Sequence, residues 1–127
     1  MFKEHSIVVQ TTSLDAYCEK RKIGYIDFLK IDTEGAEPLV LRGAQQLLEA
    51  QAIGAIQFEY GERYRNTATS LETVYRTLEQ NGYKIFRIIP GGLLACPTWD
   101  PAMEVYRYSN YLALLPSIEK QYTQPAD

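Results

Sequence analysis

The sequence predicts an α/β fold, a single domain with a mostly parallel sheet and covering helices. Apolar runs of strand length alternate with segments of helical periodicity, and two of these runs end in acidic residues. The 127 residues, 46% of them hydrophobic, are enough for one buried core. Because strand-helix-strand connections are right-handed crossovers, the first three strands are expected to run parallel.

The first elements follow from one helix start and one apolar run. Thr12-Ser13-Leu14-Asp15 places a hydroxyl three residues before an acid, which predicts a helix to about Lys20. The apolar segment Ile7-Val8-Val9 before it is predicted to be extended, and Gly24 is predicted to end the helix. Residues 25–31 are dominated by apolar side chains, which predicts a central strand buried on both faces.

The next two elements are a helix and a second strand. Pro38 fits the first helical position, and a broad apolar stripe continues to Leu48, with Gly43 as a point where the helix divides. Residues 55–60 then predict a strand that again carries an acid near its end, Glu59.

The C-terminal part predicts one helix and two strands. The clearest predicted helix starts at Thr69-Ser70-Leu71-Glu72 and is closed by Asn81-Gly82. Residues 83–89 and 111–115 are predicted to be strands. Since no long helix joins them, one of the two is expected to run antiparallel. Two prolines argue against a regular element at residues 97–101. The domain is expected to span residues 1–118, with residues 119–127 a flexible tail.

Composition excludes several classes of function. The net charge is −3 and there is no basic stripe, which argues against nucleic acid as a partner. No apolar run approaches the roughly 20 residues of a membrane span, and the N-terminus lacks a signal peptide, so a cytoplasmic protein without membrane contact is expected. Cys18 and Cys96 show no metal-ligand spacing, and no metal is predicted.

Four acids are predicted to gather where ligands bind in open α/β sheets, outside the carboxyl ends of the parallel strands. A carboxylate there suits a general base, a sugar-hydroxyl ligand or a hard cation site. The alternative for Glu34 and Glu37 is that they only stabilise the start of the following helix, which we favour for Glu37. We favour a site role for Asp32. The four acids are Asp32, Glu34, Glu37 and Glu59.

Other polar and aromatic residues near this edge have structural alternatives. Lys30 interrupts an apolar strand, so an ion pair with one of the acids is favoured over catalysis. Tyr60, Tyr64 and Trp99 are equally consistent with a substrate pocket and with core packing. The sequence contains no nucleophile elbow, Walker loop or GxGxxG motif.

The motifs together resemble the FkbM family of S-adenosylmethionine-dependent methyltransferases over roughly residues 9–116. The resemblance implies a partial class I methyltransferase, Rossmann-like fold with the four predicted strands as strands 4, 5, 6 and 7, arranged 4-5-7-6. It also implies methyl transfer from S-adenosylmethionine to a hydroxyl of a sugar or polyketide-like small molecule. The motifs are Thr12-Ser13-Leu14-Asp15-Ala16-Tyr17, Ile26-Asp27-Phe28-Leu29-Lys30-Ile31-Asp32-Thr33-Glu34-Gly35-Ala36-Glu37, Leu41-Arg42-Gly43-Ala44 and Gln57-Phe58-Glu59-Tyr60.

With this resemblance, Asp32 is predicted to be catalytic, and Glu34, Glu37, Glu59 and Tyr60 to bind substrate. Family members carry a strand and glycine-rich loop ahead of this region, which the first 12 residues are too short to hold. The chain is therefore expected to be the C-terminal half of the domain, with cofactor-binding residues unknown and activity uncertain.

The same resemblance leaves the outer edge of the strand ending at Asp32 open. Open apolar edges pair with other strands, so a homo-oligomer through this edge is expected, or the return of Ile7-Val8-Val9 onto it. Two alternatives to an enzyme remain, a non-catalytic self-associating remnant and a carbohydrate- or metal-binding module.

Overall fold

The computed structural model describes residues 5–123, which form a five-stranded sheet with helices packed on it. Two 3₁₀ turns, Pro101–Met103 and Pro116–Ile118, complete the regular structure. The strands are β1 (Ile26–Ile31), β2 (Ile53–Tyr60), β3 (Lys84–Ile89), β4 (Gly92–Ala95) and β5 (Ser109–Leu114), and the helices are α1 (Leu14–Arg21), α2 (Glu37–Arg42), α3 (Gln45–Glu49), α4 (Arg63–Asn66), α5 (Leu71–Gln80) and α6 (Glu119–Thr123).

The sheet is mixed, so the predicted mostly parallel, Rossmann-like sheet is wrong. The order across the sheet is β1-β2-β5-β3-β4, and only β1 and β2 pair in parallel. The β2–β5, β5–β3 and β3–β4 pairs are antiparallel. The order β1-β2-β5-β3 is the order 4-5-7-6 that the resemblance implied. The sheet is mixed because β5 runs antiparallel to both of its neighbours, and β4 adds a further antiparallel pair at the edge. The expected antiparallel orientation of one of the last two strands is confirmed.

The prediction that β1 is central and buried on both faces is also wrong. Within residues 5–123 its sole strand neighbour is β2, and its residues are mostly exposed or half-buried, with Phe28 45% exposed. The buried strand is β2, which pairs on both sides. Ile7-Val8-Val9 does not return to the open edge of β1, because these side chains are exposed and lie outside any strand.

The N-terminal helix begins as predicted, but its acid has a different partner. Ser13 is the N-cap of α1, and its hydroxyl accepts a hydrogen bond from the Ala16 backbone N–H at 3.1 Å. The Asp15 carboxylate instead accepts the backbone N–H groups of Gln46 and Leu47, at 2.9 and 3.1 Å. Asp15 therefore stabilises the start of α3 and ties α1 to it.

The predicted break at Gly43 is confirmed, since α2 ends at Arg42 and α3 begins at Gln45. A Cβ atom at Gly43 would lie 3.2 Å from the Ser13 Cβ, and the Gly43 carbonyl accepts the Asp15 N–H at 2.9 Å. Gly43 thus permits the close approach of α1 to the α2–α3 junction.

The main core lies on one face of the sheet and includes the apolar face of α5, formed by Leu71, Val74, Tyr75 and Leu78. A smaller cluster, made of Ala55, Phe86, Leu112 and Leu114, is packed against by Leu93 and Ile118.

Three short elements were not predicted. Helix α4 follows β2, strand β4 pairs with β3 across the predicted Pro90-Gly91-Gly92 turn, and α6 occupies the first part of the expected tail. The tail prediction for residues 124–127 lies outside the described residues. Each element has four or five residues, too few for periodicity to reveal.

Candidate functional site

Asp32 and Glu59 face each other where β1 and β2 end. The parallel register pairs Ile31 with Phe58, which places the next residue on each strand side by side. The Asp32 carboxyl lies within hydrogen-bonding reach of Glu59 and is the main cause that raises the pKa of Glu59 above its ordinary value of 4.5. Two adjacent carboxyl groups repel each other when both are charged, which favours the protonated form of Glu59 and raises its pKa.

The Glu59 carboxylate is oriented from its other side by β5 and the loop before it. The Tyr108 hydroxyl donates to Glu59 Oε1 at 2.7 Å, which acts to lower the pKa of Glu59 against the effect of Asp32. Asn110, which is paired with Glu59 across the sheet, donates from Nδ2 to the Tyr108 hydroxyl at 3.2 Å. The acid pair therefore belongs to a chain of hydrogen bonds that fixes Glu59 and leaves Asp32 exposed.

The turn after Asp32 is held in a conformation that few residues adopt. Glu34 has φ 54° and Gly35 has φ 102°. A Cβ atom at Gly35 would lie 2.9 Å from the Thr67 Cγ2 atom, so only glycine allows the turn to approach the end of α4 this closely. A left-handed glutamate beside this glycine is a local cost of the kind that collects at functional sites.

Glu37, at the start of α2, is almost fully buried, with 1% of its surface exposed. Its Oε2 atom accepts the Gly35 backbone N–H at 2.9 Å. Its Oε1 atom is buried and has no hydrogen-bond partner among the described residues. The neighbouring Tyr64 hydroxyl donates its proton to the Glu59 carbonyl at 3.0 Å, and burial, followed by the charge of Glu37, raises the pKa of Tyr64.

These residues border a cavity of about 440 Å³, which we call the acidic cavity. It lies between the Glu34–Glu37 turn, the end of β2, helix α4 and the loop before β5. Its wall includes four glutamates, Glu34, Glu37, Glu59 and Glu62, and one arginine, Arg63; Gly35, Tyr60, Gly61, Tyr64, Asn66, Tyr106 and Tyr108 complete it.

Tyr60, a predicted substrate ligand, is in the cavity wall, but its hydroxyl is already bonded. It donates to Glu104 Oε2 at 2.6 Å and accepts the Tyr106 backbone N–H at 2.8 Å. The Tyr60 and Tyr64 rings meet edge to face at 4.8 Å. Its ring supplies the wall, and its substrate role stays a prediction.

Of the sequence-predicted residues, the structure brings Glu34, Glu37, Glu59, Tyr60 and Tyr64 to one cavity, with Asp32 in contact through Glu59. Lys30 forms no ion pair with the acids in the described part of the chain, although its charge acts to lower the pKa of Glu59. Trp99 packs against Tyr75, with 5.6 Å between the ring centroids, and is not part of the cavity wall.

Sequence reasoning missed Glu104, Tyr106 and Tyr108, which belong to the irregular segment before β5. Glu104 joins the Tyr60 hydroxyl to the start of α5, where it accepts the backbone N–H groups of Leu71 and Glu72 at 3.1 and 3.2 Å. Arg65 lies over the Tyr106 ring at 4.3 Å. No periodic pattern marks these positions, since they depend on a loop rather than on a helix or strand.

Neither a metal site nor a membrane span is found in residues 5–123. No group of three or more potential metal-ligating side chains comes together there. None of the described helices has the length and apolar character required to cross a bilayer.

The family model described as the methyltransferase FkbM domain matches residues 1–85 of the 127-residue chain. The chain belongs to the FkbM methyltransferase family. The match includes the Asp32–Glu37 segment and Glu59, while the β5 side of the site, with Glu104 and Tyr108, lies beyond it. No curated protein and no solved structure matches the chain. The activity and ligands of this FkbM domain therefore have to be argued from its own site.

Proposed function

We propose that this chain carries the acceptor side of an S-adenosylmethionine-dependent O-methyltransferase site, as the C-terminal half of an FkbM domain. The observation that supports it best is the contact between the Asp32 and Glu59 carboxyl groups at the ends of adjacent parallel strands. Two carboxyl groups in contact can share an added proton, which suits them to take the proton of a hydroxyl that becomes methylated.

In this proposal Asp32 is the base, because it is exposed, whereas Glu59 is held by Tyr108. The acceptor hydroxyl gives its proton to the Asp32 carboxylate as its oxygen would form a bond to the methyl carbon. The bond from that carbon to the donor sulfur would break, and the sulfur would keep the electron pair and leave as a neutral thioether. Glu59 shares the added proton, and Tyr108 keeps Glu59 oriented. The main contribution of the protein is then to position the hydroxyl and to receive one proton.

The chemistry of the cavity wall fits the methyl donor in part. When bound, S-adenosylmethionine supplies an electrophilic methyl group on a positively charged sulfur. Carboxylates such as those of Glu34 and Glu59 suit a positive charge and ribose hydroxyls. The residues that would hold the rest of the donor are not identified by these contacts.

Calorimetric titration of S-adenosylmethionine into the purified chain tests donor binding. We expect binding in the micromolar range, and an absence of binding heat and of thermal stabilisation would contradict the proposal.

The role of Asp32 is tested separately, by methylation of a panel of hydroxylated sugars followed by mass spectrometry. Asp32→Asn is expected to lower the rate by about 10²-fold or more while donor binding persists. Asp27→Asn removes an exposed acid from the same strand, away from the cavity, and is expected to keep the rate. Equal rates for both variants would exclude Asp32 as the base.

We also propose a second function, self-association through β1, because its outer edge has no strand neighbour in residues 5–123. Ile7, Val8 and Val9 are 87, 98 and 70% exposed, and this segment of a second copy is the strand we expect on that edge. An open edge beside an unpaired apolar segment favours exchange between copies.

Light scattering across a concentration series tests this. We expect a dimer that Val8→Pro converts to a monomer, since proline cannot donate to a strand ladder. Leu39→Lys changes another exposed apolar side chain, 62% exposed on α2, and is expected to leave the dimer intact. A monomer at every concentration would refute self-association. The metal-binding alternative has no cluster to support it in the described residues.

A further inference from the structure

Glu37 presents an unmet hydrogen-bonding requirement to the acidic cavity. Its carboxylate is 1% exposed, and Oε1 has no partner among the described residues. A buried, unpartnered carboxylate oxygen is unfavourable, because water no longer solvates it and no donor replaces the water. The Tyr64 hydroxyl lies within hydrogen-bonding reach of the Glu37 side chain, but it has one proton, which it donates to the Glu59 carbonyl at 3.0 Å. One donor therefore faces two acceptors.

The charge around this oxygen is also uncompensated. The cavity wall includes four glutamates and one arginine, Arg63, which is exposed. None of the ion pairs found within residues 5–123 includes a carboxylate of the cavity. A ligand that carries a hydrogen-bond donor and a positive charge would bond to Oε1 and also compensate the negative charge of the cavity.

Two residues of the cavity wall have strained backbone positions. Glu34 has φ 54° and Tyr106 has φ 56°. Neither residue is a glycine, so both positions cost free energy that the surrounding contacts must offset. Such strain in the wall that also contains Glu37 is consistent with a preformed binding site.

We infer that the acidic cavity binds an organic ammonium group through Glu37 Oε1, and that the acceptor of this methyltransferase is an amine-bearing polyol such as an amino sugar. This inference rests on the proposed function and narrows it. The ammonium donates to Oε1 and compensates the charge of Glu37, while the sugar hydroxyls reach Glu59 and Asp32 at the cavity edge. Acidic acceptors are disfavoured by the four carboxyl groups.

The wild-type chain tests this with four matched sugars, namely glucosamine, N-acetylglucosamine, glucose and glucuronate, titrated by NMR without any methyl donor. Glucosamine is expected to bind about tenfold or more tightly than N-acetylglucosamine and glucose, and glucuronate more weakly than all three. Equal binding of glucosamine and glucose, preference for glucuronate, or no shifts with any probe would overturn the inference.

Two variants test whether Glu37 causes the preference for glucosamine. Glu37→Gln is expected to remove the glucosamine preference to within about twofold, because the amide is uncharged. Glu62→Gln removes one charge from an exposed position of the wall and is expected to weaken the preference by no more than about twofold. A preference that survives in Glu37→Gln would assign the ammonium elsewhere.

The methyl donor also contains an ammonium group. A final titration therefore tests whether Glu37 binds the ammonium group of the sugar or that of the donor. Addition of S-adenosylmethionine is expected to leave the glucosamine preference in place, and displacement of glucosamine would assign Glu37 to the donor instead. Since the sugar titrations contain no donor, their failure leaves the calorimetric test of methyl-donor binding unaffected. Failure of that calorimetric test leaves the sugar preference measurable.

Discussion

Glu104 and Glu37 are two glutamates near the same cavity, with opposite hydrogen-bonding states. Glu104 is half-buried, and its two oxygens accept three hydrogen bonds, from the Tyr60 hydroxyl and the first backbone N–H groups of α5. Glu37 is more deeply buried, yet it accepts one, from Gly35. Burial alone does not explain this difference, because the more deeply buried carboxylate has fewer partners.

The difference separates a structural carboxylate from one available to a ligand. Glu104 adds to the Ser70 N-cap from 33 residues away in sequence, because it accepts the first two backbone N–H groups of α5, and it fixes the loop that carries Tyr106 and Tyr108. Glu37 is also a glutamate, but its Oε1 atom has no hydrogen-bond partner within residues 5–123. We therefore expect opposite effects on stability when each is changed.

The largest effect is expected for Glu104→Ala, which should lower the free energy of unfolding by about 3 kcal/mol. The change removes the link to α5 and leaves the Tyr60 hydroxyl and two backbone N–H groups without their acceptor. Urea unfolding measures it. Glu72→Ala at the same helix start removes one exposed ion pair with Arg76, at 3.7 Å, and is expected to cost about 0.5 kcal/mol. Equal losses would show that Glu104 is not a cap.

The next effect concerns the turn that holds Glu37. Gly35→Ala is expected to destabilise the chain by about 1–2 kcal/mol, because φ is 102° and the added Cβ meets Thr67 at 2.9 Å. Thermal unfolding measures this change. A Cβ atom added at Gly24 would have no neighbour within 4 Å, so Gly24→Ala is the matched control and should change stability by less than about 0.5 kcal/mol. A neutral Gly35→Ala would remove the argument for strain in the turn.

Glu37→Gln tests most directly whether Glu37 and Glu104 have different roles. The amide oxygen can still accept the Gly35 N–H, and the amide nitrogen takes the place of the orphaned Oε1 atom, near the Tyr64 hydroxyl. We expect the free energy of unfolding to stay the same or rise by up to about 1 kcal/mol. Glu104→Gln should lower it, because an amide nitrogen cannot accept from α5. Destabilisation by both changes would mean that Glu37 is a structural carboxylate too.

The sequence predicted the local elements better than their arrangement. Both helix starts lie where they were predicted, because a hydroxyl before a helix is a local signal, but the N-caps are Ser13 and Ser70, each one residue after the threonine at the predicted spacing. The place of β5 between β2 and β3 was implied by the family resemblance and by no local pattern. The antiparallel pairs that β5 and β4 make were underestimated, and they give a mixed sheet where a mostly parallel one was expected. The apolar run of β1 suggested burial on both faces, yet Phe28 is 45% exposed at an edge.

In the candidate site, too, the features set by the strand pattern of the sequence were predicted and those that depend on loop contacts were not. Asp32 and Glu59 were expected together because the ends of adjacent parallel strands meet, and that pairing is observed. Glu104 and Tyr108 reach the site through the irregular segment before β5, where neither periodicity nor a turn motif marks a position. Asp15 shows how a correct helix start can conceal a longer-range role, since its carboxylate caps α3.

The smallest effect on stability is expected at Asp32. Because the pKa of Glu59 is raised in the folded chain, the protonated pair contributes stability that is present at low pH and is lost as the pH rises above 4.5. Asp32→Asn relieves this repulsion, so it should raise the free energy of unfolding by up to about 1 kcal/mol at neutral pH and have less effect in acid. Urea unfolding at both pH values measures the difference, and a larger gain in acid would contradict it.

Carboxyl-carbon NMR titration of Glu59, in the wild-type chain and in Asp32→Asn, tests the shared acid pair most directly. We expect a pKa of Glu59 above 4.5 in the wild type, which falls in the variant because the neighbouring carboxyl is gone. An unshifted pKa of Glu59 in the wild type, with no change in Asp32→Asn, would contradict the acid pair on which the proposed proton transfer depends.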